Sequence, residues 1–238
     1  MDDKKLHRDS SVRIKIIGIG GAGNNLINRM VLSCGKNISF VSVDTDVETI
    51  RMSMAMEKIA LPSIASETGH KPMPEIGQMG ARKKTEDIVD CLDKQDIVVI
   101  IAGMGGSCGT GASSEIAKIA QDLCVQVIAI VTRPFCLEGT NRAGIAEKGI
   151  ATLSECVDGI IVIPNENLKN GLQTGCTFSD VFSVVDDIVK QTVHDLIASL
   201  ESRQDKKAAF AKAVANIQHK DHLMIRTAST TIREKSEY

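Results

Sequence analysis

The stretch "DIVVIIAGMGGSCGTGA", residues 96–112, restricts the fold more than any other part of the chain. An unbroken apolar run has no polar face to offer water. It reads as a strand buried on both sides, the mark of a parallel sheet covered by crossover helices. Five glycines follow within residues 103–111. Glycine at that density breaks helix and strand alike, so the segment is either a tight turn or bare backbone shaped around a ligand.

The same alternation recurs along the chain. Strands are predicted at 12–18, 38–44, 58–62, 96–102, 125–131 and 158–164, and helices at 24–33, 75–93, 110–123, 139–156 and 178–200. The last helix carries Val181, Val184, Ile188, Val189, Val193, Leu196 and Leu200 at spacings of three and four. The expected fold class is α/β, a doubly wound, mostly parallel Rossmann-like sheet. Residues 1–11 read as a flexible N-terminus, 12–200 as one nucleotide-binding domain, and 201–238 as a charged, partly helical extension with a weak stripe at Phe210, Ala213, Val214 and Ile217.

Composition narrows the function classes. A net charge of −2 gives no reason to expect nucleic acid as a partner. No apolar run is long enough to cross a bilayer, so no transmembrane segment is expected. Seven cysteines lack any C-x-x-C pair and several sit in apolar runs, which suits free thiols in a reducing cytoplasm rather than disulfides or zinc.

A second glycine loop, "GIGGAGNN" (18–25), closes the first strand and fits G-x-G-x-x-G, with Asp44 or Asp46 beyond the next strand. Alone it fits a dinucleotide enzyme. In a doubly wound sheet, however, both glycine loops emerge at the C-terminal edge, where two helix N-termini can converge on one polyphosphate. The plain alternative is that the glycines only permit tight turns.

Seven segments, in register along the chain, resemble the tubulin/FtsZ family. "GMGGSCGTGA" is similar to its GGGTGTG signature, and "IKIIGIGGAGNNLINRM" to its first phosphate loop and helix. "VSVDTD", "PEIG", "VTRPFCLEGTNR" with "IPNENL", and "VFSVVDDIV" resemble its second strand, third loop, sugar and base loops, and central helix.

That resemblance implies GTP or GDP as ligand, with Mg²⁺ bound through the nucleotide and no metal ligand set in the chain itself. Gly20, Gly21, Ala22, Gly23 and Asn24 would hold the α- and β-phosphates. Gly105, Gly106, Ser107, Cys108, Gly109, Thr110 and Gly111 would form the second cradle. Glu138 would meet the ribose and Arg142 the phosphates, while Asn25, Asn165 and Asp187, beside Asp186, would read guanine under a stacked Phe182. The plainer readings are that Phe182 is a core residue, Asp186 and Asp187 a solvated face, and Glu138–Arg142 a surface pair.

The chain also departs from the family. Cys108 replaces Thr, a weaker donor, and Asp186 replaces Asn. "GHKPMP" alters the third loop, where Pro72 removes an N–H and Lys71 offers charge instead. No N-x-D-x-x-D acidic loop follows Leu200 in this sequence, and the expectation is a protein that lacks the family's β-rich second domain. The expectation is a cytoplasmic, septal cell-division protein that binds GTP and hydrolyses it little on its own. It would associate head-to-tail with full-length FtsZ, or cap its filaments. The alternatives are self-assembly as a GTPase aided by Glu201 or Asp205, a nicotinamide oxidoreductase built on "GIGGAG", and an inactive relic.

Overall fold

The structure, a computed structural model, describes residues 12–32, 38–63, 72–166, 178–201 and 224–227. Lys71, Leu168, Asp205, the stripe from Phe210 to Ile217 and residues 1–11 lie outside the described residues.

Strands β1 (Ile14–Ile19), β2 (Ile38–Asp44), β3 (Glu57–Ala60), β4 (Ile97–Gly103), β5 (Gln126–Arg133) and β6 (Gly159–Pro164) form a parallel sheet. A last strand, β7 (Met224–Thr227), joins β6 antiparallel, giving the order β3-β2-β1-β4-β5-β6-β7. β7 falls within the segment that the sequence reads as a charged extension. Its four residues give too short a pattern to separate strand from loop.

The helices are α1 (Gly20–Met30), α2 (Val47–Met52), α3 (Pro74–Lys83), α4 (Thr85–Leu92), α5 (Ser107–Asp122), α6 (Thr140–Ser154) and α7 (Phe178–Glu201). Where one helix is expected over 75–93, the chain breaks at Lys84, whose backbone leaves helical geometry at φ −112° and ψ 23°. Thr85 Oγ1 donates to the Arg82 carbonyl at 2.8 Å across the break. Neither Pro nor Gly marks that position, so sequence punctuation could not reveal it.

Both faces of the sheet are covered. On one, Leu26, Ile27 and Met30 of α1 and Val185, Val189, Val193 and Leu196 of α7 pack on Ile14, Ile16, Val99 and Ile101. On the other, Ile88 of α4, Ile116 of α5 and Ile150 of α6 pack on Ile17, Val98 and Ile100. Burial on both faces is why β4 is apolar at consecutive positions: Ile97 to Ile101 are at most 1% exposed. The doubly wound α/β sheet matches the fold expected from sequence.

One charge is sealed into this sheet. Lys15, 4% exposed on β1, donates to Glu57 Oε1 at 2.8 Å and to the Cys91 carbonyl at 2.6 Å. A buried ammonium persists only with such partners.

Candidate functional site

The strand order changes direction between β1 and β4. The two strands lie side by side and their following helices go to opposite faces, the kind of switch point at which doubly wound sheets bind ligands. Each glycine loop leaves the carboxyl end of one of these strands. The loop residues 44–46 leave β2, residues 134–142 leave β5, and Asn165 follows β6. One edge of the sheet thus carries every site residue predicted from Gly20 to Asn165.

The glycine loops touch. Gly20 sits at φ +73°, a left-handed geometry that disfavours any β-carbon, and a Cβ there would lie 3.0 Å from Gly109 N. A Cβ on Gly111 would overlap the carbonyl oxygen of Pro74 at the start of α3. Gly21 differs: a Cβ there meets nothing within 4 Å.

Both helices that start here have unguarded N-termini. α1 and α5 have no side-chain cap and no acidic residue in the first turn. Helices normally satisfy some of these orphan amides with a Ser, Asp or Asn cap. α2 does so, its Asp46 carboxylate accepting from Glu48 N at 3.1 Å and Thr49 N at 3.4 Å. α3, α4 and α6 also lack a side-chain cap, so what sets α1 and α5 apart is that their N-termini meet, Gly20 against Gly109, bringing the positive ends of two helix dipoles to one junction, an arrangement that suits an anion.

The remaining cradle residues brace the loop. Gly105 N–H donates to Thr110 Oγ1 at 2.8 Å, leaving the threonine hydroxyl hydrogen for another acceptor. Ser107 Oγ accepts from Met73 N at 2.8 Å, which ties the third loop to the second. Gly106 stands at the helix cap position, and Ala22 and Gly23 continue the first turn of α1.

Cys108 is 7% exposed. Burial first, then the Asp44 carboxylate, pushes its thiol up to about 12, against the opposing N–H groups of Thr45 and Gly20. The side chain therefore stays protonated and lies inside the junction. Asp44 turns inward as well, accepting from Thr45 N at 2.7 Å, Asp46 N at 3.2 Å and Asn24 Nδ2 at 3.3 Å. It organises the loops, a role that sequence reasoning missed. The only hint was an acidic residue closing a buried strand.

Two buried side-chain oxygens have no hydrogen-bond partner among the described residues: Asn24 Oδ1, in a residue 1% exposed, and Asn165 Oδ1, in one 5% exposed. Leaving such acceptors dry costs roughly 1–3 kcal/mol each, so a ligand donor is the natural complement. Asn25 is exposed on the same helix as Asn24.

Farther along the edge, Arg142 Nη1 donates to Glu138 Oε2 at 2.8 Å, and Glu138 Oε1 accepts from Phe135 N at 2.8 Å. The surface pair is thus present, although Glu138 lies in a separate 3-10 turn, Cys136–Glu138. Phe182 is 48% exposed and meets buried Phe135 edge-on, with ring centroids 5.2 Å apart. Its outer surface remains open to stacking.

Arg29 of α1 was not foreseen. It donates to Asp186 at 2.9 Å and Asp187 at 2.7 Å, tying α1 to α7. Burial raises the Asp186 carboxyl above its ordinary value, although Arg29 opposes the shift. No local pattern pairs positions 157 residues apart. Together these groups form a junction of two helix N-termini flanked by amide and carboxylate side chains and one half-exposed ring, a set whose chemistry suits a nucleotide.

Comparison with known proteins agrees with this geometry. Residues 13–173 match the model of the Tubulin/FtsZ family, GTPase domain. The cell division protein FtsZ of Wigglesworthia glossinidia brevipalpis is 38% identical over 195 residues, spanning 82% of this chain and 50% of that protein. FtsZ of Buchnera aphidicola subsp. Acyrthosiphon pisum is likewise 38% identical, over 80% of this chain and 50% of its own length. The empty FtsZ dimer of M. jannaschii superposes with a TM-score of 0.74 at 30% identity, covering 81% of this chain and 56% of its own. CetZ from Methanosaeta thermophila shares the fold at a TM-score of 0.69 and 20% identity, covering 86% of this chain and 58% of its own. The chain spans about half the length of the curated relatives that it matches.

Proposed function

The chain belongs to the tubulin/FtsZ GTPase-domain family, and from that premise we propose that it holds a guanine nucleotide across the Gly20–Gly109 junction and docks by that edge onto an FtsZ-type subunit during cell division. One observation carries the reading: two helices with uncapped N-termini meet backbone to backbone at this junction. Amides of residues 20–24 and 105–111 bind the phosphates. Asn25, Asn165 and Asp187 select the base, Phe182 stacks on it, Glu138 meets the ribose and Arg142 the phosphates. The orphaned Oδ1 atoms of Asn24 and Asn165 support a ligand rich in donors, as guanine and ribose are.

The nucleotide, with Mg²⁺ bound through its phosphates, supplies the bond that can be hydrolysed; the described residues bind and present it. Asp44 and Asp46 accept from backbone amides and Asp186 pairs with Arg29, while Glu138 and Asp187, paired with Arg142 and Arg29, keep further lone pairs for the ribose and the base. None of these five is assigned to an attacking water, and turnover is slow until a neighbouring subunit contributes an acid. The neighbour is a full-length FtsZ chain or a second copy, arranged head-to-tail at the cytoplasmic face of the septum. Co-sedimentation with full-length FtsZ and GTP tests this. Association, with a change in polymer length or turnover, is expected; neither association nor change refutes the proposal.

A further inference from the structure

A methionine triad lies away from the nucleotide edge, between α2 and β3. In "RMSMAMEK", Met52, Met54 and Met56 are 72%, 50% and 96% exposed, while the intervening Ser53 and Ala55 are 6% and 4% exposed. Met52 closes α2, Ser53 is extended at φ −67° and ψ 140°, and Met56 directly precedes β3, so three exposed thioethers fall within five residues. The backbone is pinned there. Ser53 Oγ pairs with Ser42 Oγ of β2 and accepts Ala55 N–H at 3.1 Å, and Met54 N–H donates to Asn28 Oδ1 of α1 at 2.7 Å. Three large apolar side chains held in water on a fixed ribbon contribute nothing to the core and need another reason.

We propose that this ribbon is a binding site for a soft monovalent metal ion, copper(I), held between the thioether sulfurs of Met54 and one of its two neighbours. Thioethers are soft, neutral ligands that select Cu(I) over hard cations. The spacing fits linear coordination. Residues two apart on an extended chain have Cα atoms about 7 Å apart. A linear S–Cu–S unit, at about 2.3 Å per metal–sulfur bond, spans roughly 5 Å, within reach of two flexible methionines leaning together. Met52 and Met56 are about 14 Å apart when extended, too far to share an ion. Met54 is therefore the common ligand, and either end completes the pair.

The test uses the full chain carrying methyl-¹³C methionine, with accessible thiols blocked by N-ethylmaleimide. It is titrated anaerobically with Cu(I) buffered by bicinchoninate, with Ag(I) as an air-stable stand-in. The methyl signals of Met52, Met54 and Met56, assigned through single Met→Leu variants, shift and saturate at one ion per chain. That of Met79, also exposed at 43% but on α3 outside this stretch, stays still. Met52→Leu or Met56→Leu removes one of two equivalent pairings and weakens binding about twofold. Met54→Leu destroys the chelate and weakens it by about a hundredfold. Since all three side chains face water, the variants keep the wild-type circular dichroism and unfolding midpoint. Equal shifts at Met79, or a Met54→Leu variant that binds as the wild type does, overturn the proposal.

Discussion

Gly20 and Gly21 are adjacent, and the structure assigns them opposite tasks. Ala at 20 must adopt φ +73°, a left-handed geometry that costs about 1–2 kcal/mol with a β-carbon. Its Cβ would also stand 3.0 Å from Gly109 N and 3.3 Å from Gly109 Cα, both backbone atoms that cannot swing aside. Parting the loops by a few tenths of an ångström adds to the cost, so Gly20→Ala destabilises the nucleotide-free protein by on the order of 2 kcal/mol. Gly21 carries neither penalty, because a Cβ there meets nothing within 4 Å and the residue is helical. Gly21→Ala raises stability by up to about 1 kcal/mol through the helix preference of alanine. If the empty space over Gly21 belongs to the nucleotide, the same methyl group obstructs binding, and affinity falls by about tenfold, or 1.4 kcal/mol. Urea unfolding followed by circular dichroism measures the first quantity, and calorimetric titration with GDP the second. A Gly20→Ala variant as stable as wild type, or a Gly21→Ala variant that binds GDP equally well, refutes the reasoning.

Other expectations follow from the same geometry. Asp186, its carboxyl raised mainly by burial, costs stability once pH exceeds the ordinary value of 3.8 and its own higher one, because the unfolded chain ionises more readily. Asp186→Asn therefore stabilises the protein near pH 7, by a margin that shrinks as pH falls toward 4; unfolding midpoints across that range show whether it does. Leu196, fully buried between α7 and the sheet, leaves a cavity when replaced by Ala, and the loss of about 2–5 kcal/mol is read from urea unfolding. Cys91 and Cys108 are pushed up to about 11 and about 12, so iodoacetamide at pH 8 leaves both unmodified in the native protein while exposed Cys124 and Cys136 react. Peptide mass mapping over time measures the contrast.

What the sequence could reveal depended on the range of each signal. The strands were legible because burial on both faces makes residues such as Ile97 to Ile101 uniformly apolar. The glycine loops were legible because backbone contact, like that of Gly20 with Gly109, tolerates no larger residue. Long-range polar pairing was not. Arg29 reaches Asp186 and Asp187 across 157 and 158 positions, and no periodicity reports that. The inward turn of Asp44 was equally hidden, since an acid at a strand end reads the same whether it faces a ligand or the amides of Thr45 and Asp46. The break at Lys84 had no Pro or Gly to announce it, and it is visible only in the backbone and the Thr85–Arg82 bond.

The central claim is that one guanine nucleotide lies across the junction of the two glycine loops. The most direct measurement is calorimetric titration of nucleotide-stripped protein with GDP and, in parallel, ADP. The account predicts one GDP bound per chain, much weaker ADP binding, and loss of that preference in Asn165→Ala. No binding of GDP, or equal affinity for ADP, would contradict it.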